Sequence, residues 1–241
     1  MSGHSKWATI KRKKASIDSK RGKEFTKLIK EITVAARLGG GDAAGNPRLR
    51  LLLEKAKEVN MPLDNAQRAI KRGTGELPGM HYEPQTYEGY GPYGIAVMVD
   101  TLSDNKNRTV AELRRIFTAS QGSLGETGSV GWMFDRLGVI RTTNATVSED
   151  ELLEILLDYD IQDLTPEDNT FVITCDAKSL EKIRQTLTQK TDLKIDSAEL
   201  EWIPNNVTKV GDDSLDKAYD FLNELEEHDD VQNVYTNLTE G

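Results

Sequence analysis

The sequence predicts an α+β multidomain protein: an all-α three-helix N-terminal domain and two two-layer α/β domains of ferredoxin-like type, the last inserted into the middle one. Three observations support this prediction. Apolar residues recur with a helical period up to about residue 75. From Tyr82 onward, aromatic and β-branched residues gather in short runs that are typical of strands. Between residues 136 and 205 the predicted elements follow the order β-α-β-β-α-β, that of a ferredoxin-like module.

The N-terminal domain is assigned to residues 1–79 and begins with a basic arm, residues 1–16. The arm shows neither helical nor strand periodicity, so we expect it to be flexible. A helix is predicted from about Asp18 to Leu38, because its apolar residues fall on one face. These apolar residues are Phe25, Leu28, Ile29, Ile32 and Ala36.

Two shorter helices complete the N-terminal domain. Asn46 and Pro47 supply an N-cap and a first-turn proline for the second helix. Met61-Pro62 breaks that helix, and a third one is predicted up to Arg72, with Gly73 ending it. Two amphipathic helices joined by a tight turn resemble the helix-turn-helix of DNA-binding proteins, although such pairs are common.

The middle domain is predicted to be discontinuous, with residues 80–135 and 206–241 packed together. Its expected strands are near 85–90, 94–101, 129–134 and 231–238. One expected helix is near 214–228, and another is opened by a capping box at Thr109–Glu112. The C-terminal helix and strand cannot fold alone, which favours packing against the earlier segment. Gly89–Gly94 matches the dinucleotide-binding pattern G-x-G-x-x-G, but it leads into a strand and contains Pro92, so we interpret it as a turn.

Residues 136–205 are assigned to the inserted domain. A capping box at Ser148–Glu151 is expected to open its first helix. Cys175, the only cysteine of the chain, lies in a strand-like run and is predicted to be a small buried side chain. A single cysteine excludes an intramolecular disulfide and favours a reducing, cytoplasmic compartment.

Charge is distributed very unequally along the chain. The net charge of the whole chain is −9. Residues 1–75 contain 18 Lys and Arg against 7 Asp and Glu, a net of +11, whereas residues 76–241 contain 13 against 33, a net of −20. This asymmetry indicates a polyanion-binding end on an acidic body. An alternative is that the two ends attract each other.

The candidate nucleic-acid-binding residues belong to the arm, the outer face of the first helix and the third helix. Basic side chains neutralise phosphates, and Trp7 is suited to stacking on a base or to packing on the helical domain. The candidates are Lys6, Trp7, Lys11, Arg12, Lys13, Lys14, Lys20, Arg21, Lys23, Lys27, Lys30, Arg37, Arg68, Lys71 and Arg72.

The sequence lacks the patterns that would indicate catalysis or a cofactor. None of His4, His81 and His228 has a cysteine or glutamate at metal-ligand spacing. There is no Walker, Gly-x-Ser-x-Gly or His-Glu-x-x-His motif. No run reaches transmembrane length. We therefore expect a non-enzymatic protein without metal, cofactor or membrane association.

Several motifs resemble the YebC/PmpR family. They occur in the family's order and span residues 1–135: Ser2–Trp7, Ile10–Lys14, Gly22–Phe25, Asn60–Pro62, Tyr87–Pro92, Thr101 with Asn107–Thr109, and Gly128–Phe134. The resemblance implies an all-α N-terminal domain with two α/β domains and no known catalysis. It also implies a regulator of gene expression, since bacterial members are described as DNA-binding transcriptional regulators.

Three functional hypotheses follow. The leading one is a DNA-binding transcriptional regulator. The alternative is an RNA- or ribosome-binding translation factor that relieves stalling or activates translation, as the resemblance implies for some relatives; its acidic domains would then meet basic proteins. The third is a scaffold whose arm binds an acidic protein. DNA or ribosomal RNA is thus the expected partner.

Overall fold

A computed structural model of the chain describes residues 19–143, 147–167 and 170–240, with the side chains of residues 19–21, 167, 212 and 240 left undescribed. The protein has an α+β fold, in agreement with the predicted class. It divides into two compact units, whose described parts are residues 134–205 and residues 19–133 with 206–240.

The described helices are α1 (Ser19–Gly39), α2 (Pro47–Glu58), α3 (Leu63–Gly73), α4 (Lys106–Ala119), α5 (Glu149–Ile155), α6 (Leu180–Lys190) and α7 (Asp212–Glu227). The described strands are β1 (Glu83–Tyr90), β2 (Ala96–Ser103), β3 (Ser123–Leu124), β4 (Phe134–Thr143), β5 (Ile161–Glu167), β6 (Thr170–Cys175), β7 (Lys194–Pro204), β8 (Thr208–Val210), β9 (Val231–Thr236) and β10 (Leu238–Glu240). In the described parts of the chain, no helix is both long and apolar enough to cross a membrane.

Helices α1, α2 and α3 enclose a small apolar core. Leu28 and Ile32 of α1 pack there with Leu49 of α2 and Ala66 of α3. The predicted N-cap of α2 is confirmed, because the Asn46 side chain accepts a hydrogen bond from the Leu49 N–H at 3.1 Å. The same side chain donates to the backbone oxygens of α1 at Ala35 and of Gly40, at 2.9 and 2.8 Å. This asparagine therefore connects the end of α1 to the start of α2.

The larger unit contains an antiparallel sheet in the order β3-β1-β2-β9, and helices α4 and α7 pack against it. Phe117 of α4 meets Phe221 of α7 edge to face, with ring centroids 5.0 Å apart. The predicted turn before β2 is confirmed as a short 3₁₀ turn at Pro92–Gly94. β8 and β10 form a separate parallel pair.

Two boundaries in this unit differ from the sequence prediction. Helix α4 begins at Lys106, with Asn105 as its N-cap, so the predicted capping box at Thr109 is wrong. The Thr109 hydroxyl is instead buried and donates to the Asp230 carboxylate at 2.7 Å. The predicted strand at 129–134 is also wrong: Gly131–Met133 is a 3₁₀ turn, because the backbone N–H groups of this loop bind the Glu88 carboxylate.

The smaller unit follows the element order β-α-β-β-α-β, and its antiparallel sheet has the order β5-β6-β4-β7. Ile140, Ile173 and Leu187 contribute to its core. The capping box at Ser148–Glu151 is confirmed. Cys175 is fully buried, as predicted, and burial together with nearby Asp176 raises the pKa of its thiol to about 11. A thiol in this position is protonated at neutral pH and therefore unreactive.

Candidate nucleic-acid interface

The structure does not describe the basic arm. Lys6, Trp7, Lys11, Arg12, Lys13 and Lys14 lie outside the described residues. Lys20 and Arg21 belong to the first turn of α1, but their side chains are not described. The role of these eight residues therefore stays a prediction.

Three lysines of α1 do not form the free basic surface that the sequence predicted. Lys23, Lys27 and Lys30 lie on one face of the helix, and that face meets the carboxyl end of α7. The Lys23 Nζ donates to the Glu227 carbonyl at 3.1 Å, and the Lys27 Nζ donates to the Glu226 carbonyl at 2.7 Å. Carbonyl groups at the end of a helix carry partial negative charge, so lysines are favoured there. Lys23 and Lys27 therefore attach α1 to α7.

Lys30 is the most deeply placed of the three lysines. It is only 7% exposed, and its Nζ forms an ion pair with the Asp230 carboxylate at 2.6 Å. The same ammonium group donates to the carbonyl oxygens of Asp229 and Leu102, at 2.9 and 3.3 Å. The prediction that Lys30 is exposed and available to nucleic acid is therefore wrong. A buried ammonium group needs such partners, because burial without them is costly.

Asp230 is the centre of this buried polar cluster. Besides Lys30, its carboxylate accepts hydrogen bonds from Arg108 at 2.8 Å, Thr109 at 2.7 Å and Ser103 at 3.1 Å. Burial disfavours the ionised carboxylate, but the hydrogen bonds from Lys30, Arg108 and Thr109 outweigh burial and hold the pKa of Asp230 well below its ordinary value. The cluster thus joins α1, the end of β2, α4 and the segment before β9.

His228 supports the cluster from the end of α7. Its Nδ1 accepts a hydrogen bond from the Asp230 N–H at 3.1 Å, and its Nε2 lies 2.8 Å from a Glu112 carboxylate oxygen. An Nδ1 that accepts a hydrogen bond carries no proton, so the ring donates through Nε2. The imidazole therefore fixes the backbone beside Asp230, which is a structural role.

The remaining predicted residues are on α1 and α3. Arg37 is partly buried, whereas Arg68, Lys71 and Arg72 are exposed on α3. Arg68 forms an ion pair with Asp64 at 2.7 Å, and both side chains are more than half exposed. A surface pair of this kind is weak and does not prevent Arg68 from contacting a phosphate. The basic end of α3 is therefore accessible.

Sequence reasoning missed the Asp230 cluster entirely. Asp230 lies more than a hundred residues along the chain from Arg108 and Thr109, and no local pattern connects it to them. The alternative that the basic and acidic ends attract each other is supported locally by the ion pairs of Lys23 with Glu227 and of Lys30 with Asp230. In the described parts of the chain, no group of three His, Cys, Asp or Glu side chains is placed to hold a metal ion.

Comparison with known proteins identifies the family. Residues 5–76 match the TACO1/YebC protein N-terminal domain, and residues 82–238 match the TACO1/YebC second and third domain. A protein of Chlorobaculum tepidum named "probable transcriptional regulatory protein" is 52% identical over 99% of this chain and 95% of its own. A protein of Chlorobaculum parvum with the same name is 51% identical over the same shares.

The fold is also shared with a solved structure. The crystal structure of a conserved hypothetical protein from Aquifex aeolicus is 42% identical to this chain, with a TM-score of 0.83. The match covers 95% of this chain and 94% of that one. Together, the two domain matches span most of the chain, and the chain belongs to the TACO1/YebC family.

Proposed function

We propose that this protein is a non-enzymatic, DNA-binding regulator of transcription that acts in the cytoplasm. The observation that carries the proposal is the concentration of positive charge, a net of +11 in residues 1–75 of a chain whose net charge is −9. Clustered Lys and Arg bind the phosphate backbone and release counterions. The names of the Chlorobaculum relatives support a regulatory role.

Two segments are proposed to contact the DNA. The arm, with Lys11 to Lys14, supplies most of the charge. Helix α3 exposes Gln67, Arg68 and Lys71 on one side, and the turn from α2 to α3 is short. A glutamine and an arginine on an exposed helix are the residue types that bind adenine and guanine in the major groove. Lys23, Lys27 and Lys30 of α1 are left out of this interface, because they bind the end of α7 and the residues that follow it.

We further propose that the chain has three domains: residues 1–79, residues 80–135 with 206–241, and the inserted residues 136–205, with both α/β domains built as two-layer sandwiches. The pairing of β9 with β2, in which Val234 lies opposite Val99, supports the discontinuous middle domain. In this arrangement the residues proposed to contact duplex DNA lie in the N-terminal domain. The acidic remainder would be repelled by the phosphates of a duplex and so would orient the protein on it.

The proposal is tested by removing charge from the arm. The variant with Lys11, Arg12, Lys13 and Lys14 all changed to Gln is compared with a variant that loses four exposed lysines elsewhere, Lys178, Lys182, Lys190 and Lys217. Both variants lose the same net charge. At 100 mM salt we expect the arm variant to bind duplex DNA at least tenfold more weakly. Equal losses in the two variants would contradict a specific role of the arm.

Crosslinking in cells tests the target. We expect promoter DNA to dominate the nucleic acid recovered with the wild-type protein and to be lost with the arm variant. Recovery dominated by ribosomal RNA would overturn the transcriptional assignment and favour the translation factor.

A further inference from the structure

Glu88 organises the loop that connects β3 to β4. Its side chain is buried, and its carboxylate accepts hydrogen bonds from the N–H groups of Gly128 at 2.9 Å, Val130 at 3.0 Å and Gly131 at 2.7 Å. The Gly125 N–H binds the Glu88 carbonyl at 2.7 Å. A carboxylate held by three backbone N–H groups is a strong local constraint. The loop is therefore fixed in one conformation.

Two aromatic side chains lie together on the outside of this loop. The Tyr90 hydroxyl and the Trp132 indole N–H both point at the Ser129 carbonyl oxygen, at 3.5 and 3.3 Å. Their polar ends are therefore within about 7 Å of each other. Trp132 is 67% exposed and Tyr90 is 37% exposed. We call this pair the aromatic platform.

The fold itself does not account for the exposure of the platform. Because the Tyr90 hydroxyl and the Trp132 indole N–H are both directed at Ser129, the exposed area of the two side chains can be offered to a ligand mainly through their rings. The loop beside them, residues 125–128, is exposed and contains two glycines, a threonine and a glutamate. A hot spot for protein binding is usually a packed apolar centre inside a rim. Isolated rings on a rigid polar loop suit a flat aromatic ligand better.

We propose that Trp132 and Tyr90 form a stacking site for an unpaired base of single-stranded nucleic acid. This inference rests on the proposed function, since the basic arm would bring the strand to the protein. Every base has a π face, so the site accepts any base sequence. Stacking uses the base and not the sugar, so we expect the site to bind DNA and RNA alike.

The stacking site is expected to contribute to affinity without charged contacts, unlike the arm. The loop carries one exposed carboxylate, Glu126, and no Lys or Arg between residues 120 and 133. It therefore makes no cationic phosphate contact of its own, and stacking should be insensitive to salt. The arm, in contrast, is expected to bind phosphates with a steep salt dependence. Salt thus separates the two contributions in the full-length protein.

The test uses fluorescence anisotropy of labelled oligonucleotides: a dT 20-mer, a U 20-mer and a DNA duplex, each at several salt concentrations. We expect Trp132→Ala to weaken binding of both single strands by about 5- to 150-fold, the range measured for loss of one base–aromatic stack. The factor should be the same at every salt concentration, and duplex binding should be unchanged. Trp132→Phe should restore most of the affinity.

Two controls make the result specific. Leu157→Ala truncates another highly exposed apolar side chain, 81% exposed, and should leave all affinities unchanged. Intrinsic fluorescence reports on Trp132 directly, because the chain has only three tryptophans. Quenching by the dT 20-mer should persist in Trp7→Phe and Trp202→Phe but decrease in Trp132→Phe, which still binds.

Three results would overturn the stacking site: unchanged single-strand affinity in Trp132→Ala, an equal loss on duplex, or a loss that Trp132→Phe does not restore. If Trp132→Ala affects only one of DNA and RNA, a contact other than stacking decides binding. A wild-type protein that binds none of the three oligonucleotides would instead refute the proposed function. The two failures are therefore distinguishable.

Discussion

Helices α1 and α3 both carry basic faces in the sequence, but the structure uses them differently. On α1, Lys27 binds a carbonyl group at the end of α7, and Lys30 binds a carbonyl and a carboxylate group just after it. On α3, Arg68, Lys71 and Arg72 are exposed. Helical periodicity places lysines on one face correctly, but it does not say what that face contacts. A basic face is thus equally suited to an acidic segment of the same chain and to a phosphate backbone.

The largest expected effect is on the α1 side of this comparison. Lys30→Met leaves the buried Asp230 carboxylate without its closest cation, and breaking one partner of a buried pair costs about 3–5 kcal/mol. Chemical denaturation should show this loss of stability. Lys71→Met, on exposed α3, is the matched control and should change the unfolding free energy by less than about 0.5 kcal/mol. Similar small values for both variants would contradict the structural role of Lys30.

Acid should weaken the same contact. The folded pKa of Asp230 lies below its ordinary value, so the carboxylate stabilises the fold fully above about pH 5 and loses this contribution as the pH falls further. The difference in unfolding free energy between wild type and Asp230→Asn should be constant from pH 8 to 5. It should then shrink by about 2 kcal/mol as Asp230 is protonated. If this difference in unfolding free energy grew on acidification, it would contradict a lowered pKa of Asp230 in the folded protein.

A smaller effect is expected for the exposed end of the α1 face. Changing Lys23 and Lys27 to Gln removes two cations from the carboxyl end of α7. Each contact with a helix terminus contributes about 0.3–1 kcal/mol, and salt screens it. Thermal melting at low salt should detect the loss, and 1 M salt should reduce it. A loss that persists unchanged at high salt would point to packing rather than charge.

The smallest effect on stability is expected for α3. Changing Arg68 and Lys71 to Gln removes exposed charges only, so the unfolding free energy should change by less than about 0.5 kcal/mol. Affinity for duplex DNA should nevertheless fall severalfold, because phosphate contacts are lost. Binding titrations and denaturation of the same samples separate a loss of DNA affinity from a loss of folding stability. Unchanged DNA affinity would remove α3 from the proposed interface.

Local signals in the sequence predicted much of the fold. The N-cap at Asn46, the turn at Pro92–Gly94 and the capping box at Ser148 depend on neighbouring residues, and all three are found. Errors arose where a distant group overrides a local pattern. Thr109 matches a capping box, but Asp230 binds its hydroxyl. Ser129–Phe134 has strand-like composition, but Glu88 binds its N–H groups.

The candidate interface was predictable only in part, for the same reason. Charge counting identifies the basic end of the chain, and helical spacing identifies its faces. Lys30 could not be assigned from its own surroundings in sequence, because its partner Asp230 is 200 residues away. Trp132 and Tyr90 were noticed as parts of motifs, but only the loop held by Glu88 brings them together. Long-range contacts decide whether a charged or aromatic residue is structural or available.

The central claim is that the basic residues divide into a structural set, Lys23, Lys27 and Lys30 of α1, and a nucleic-acid-binding set on the arm and α3. The salt dependence of duplex DNA affinity tests it most directly, compared among the wild type, the arm variant with Lys11, Arg12, Lys13 and Lys14 changed to Gln, and the variant with Lys23 and Lys27 changed to Gln. We predict that the arm variant lowers the slope of log affinity against log salt by about 3–4, since each lost phosphate contact removes about 0.9. The α1 variant should keep the wild-type slope. An unchanged slope in the arm variant, or a flatter slope in the α1 variant, would contradict the account.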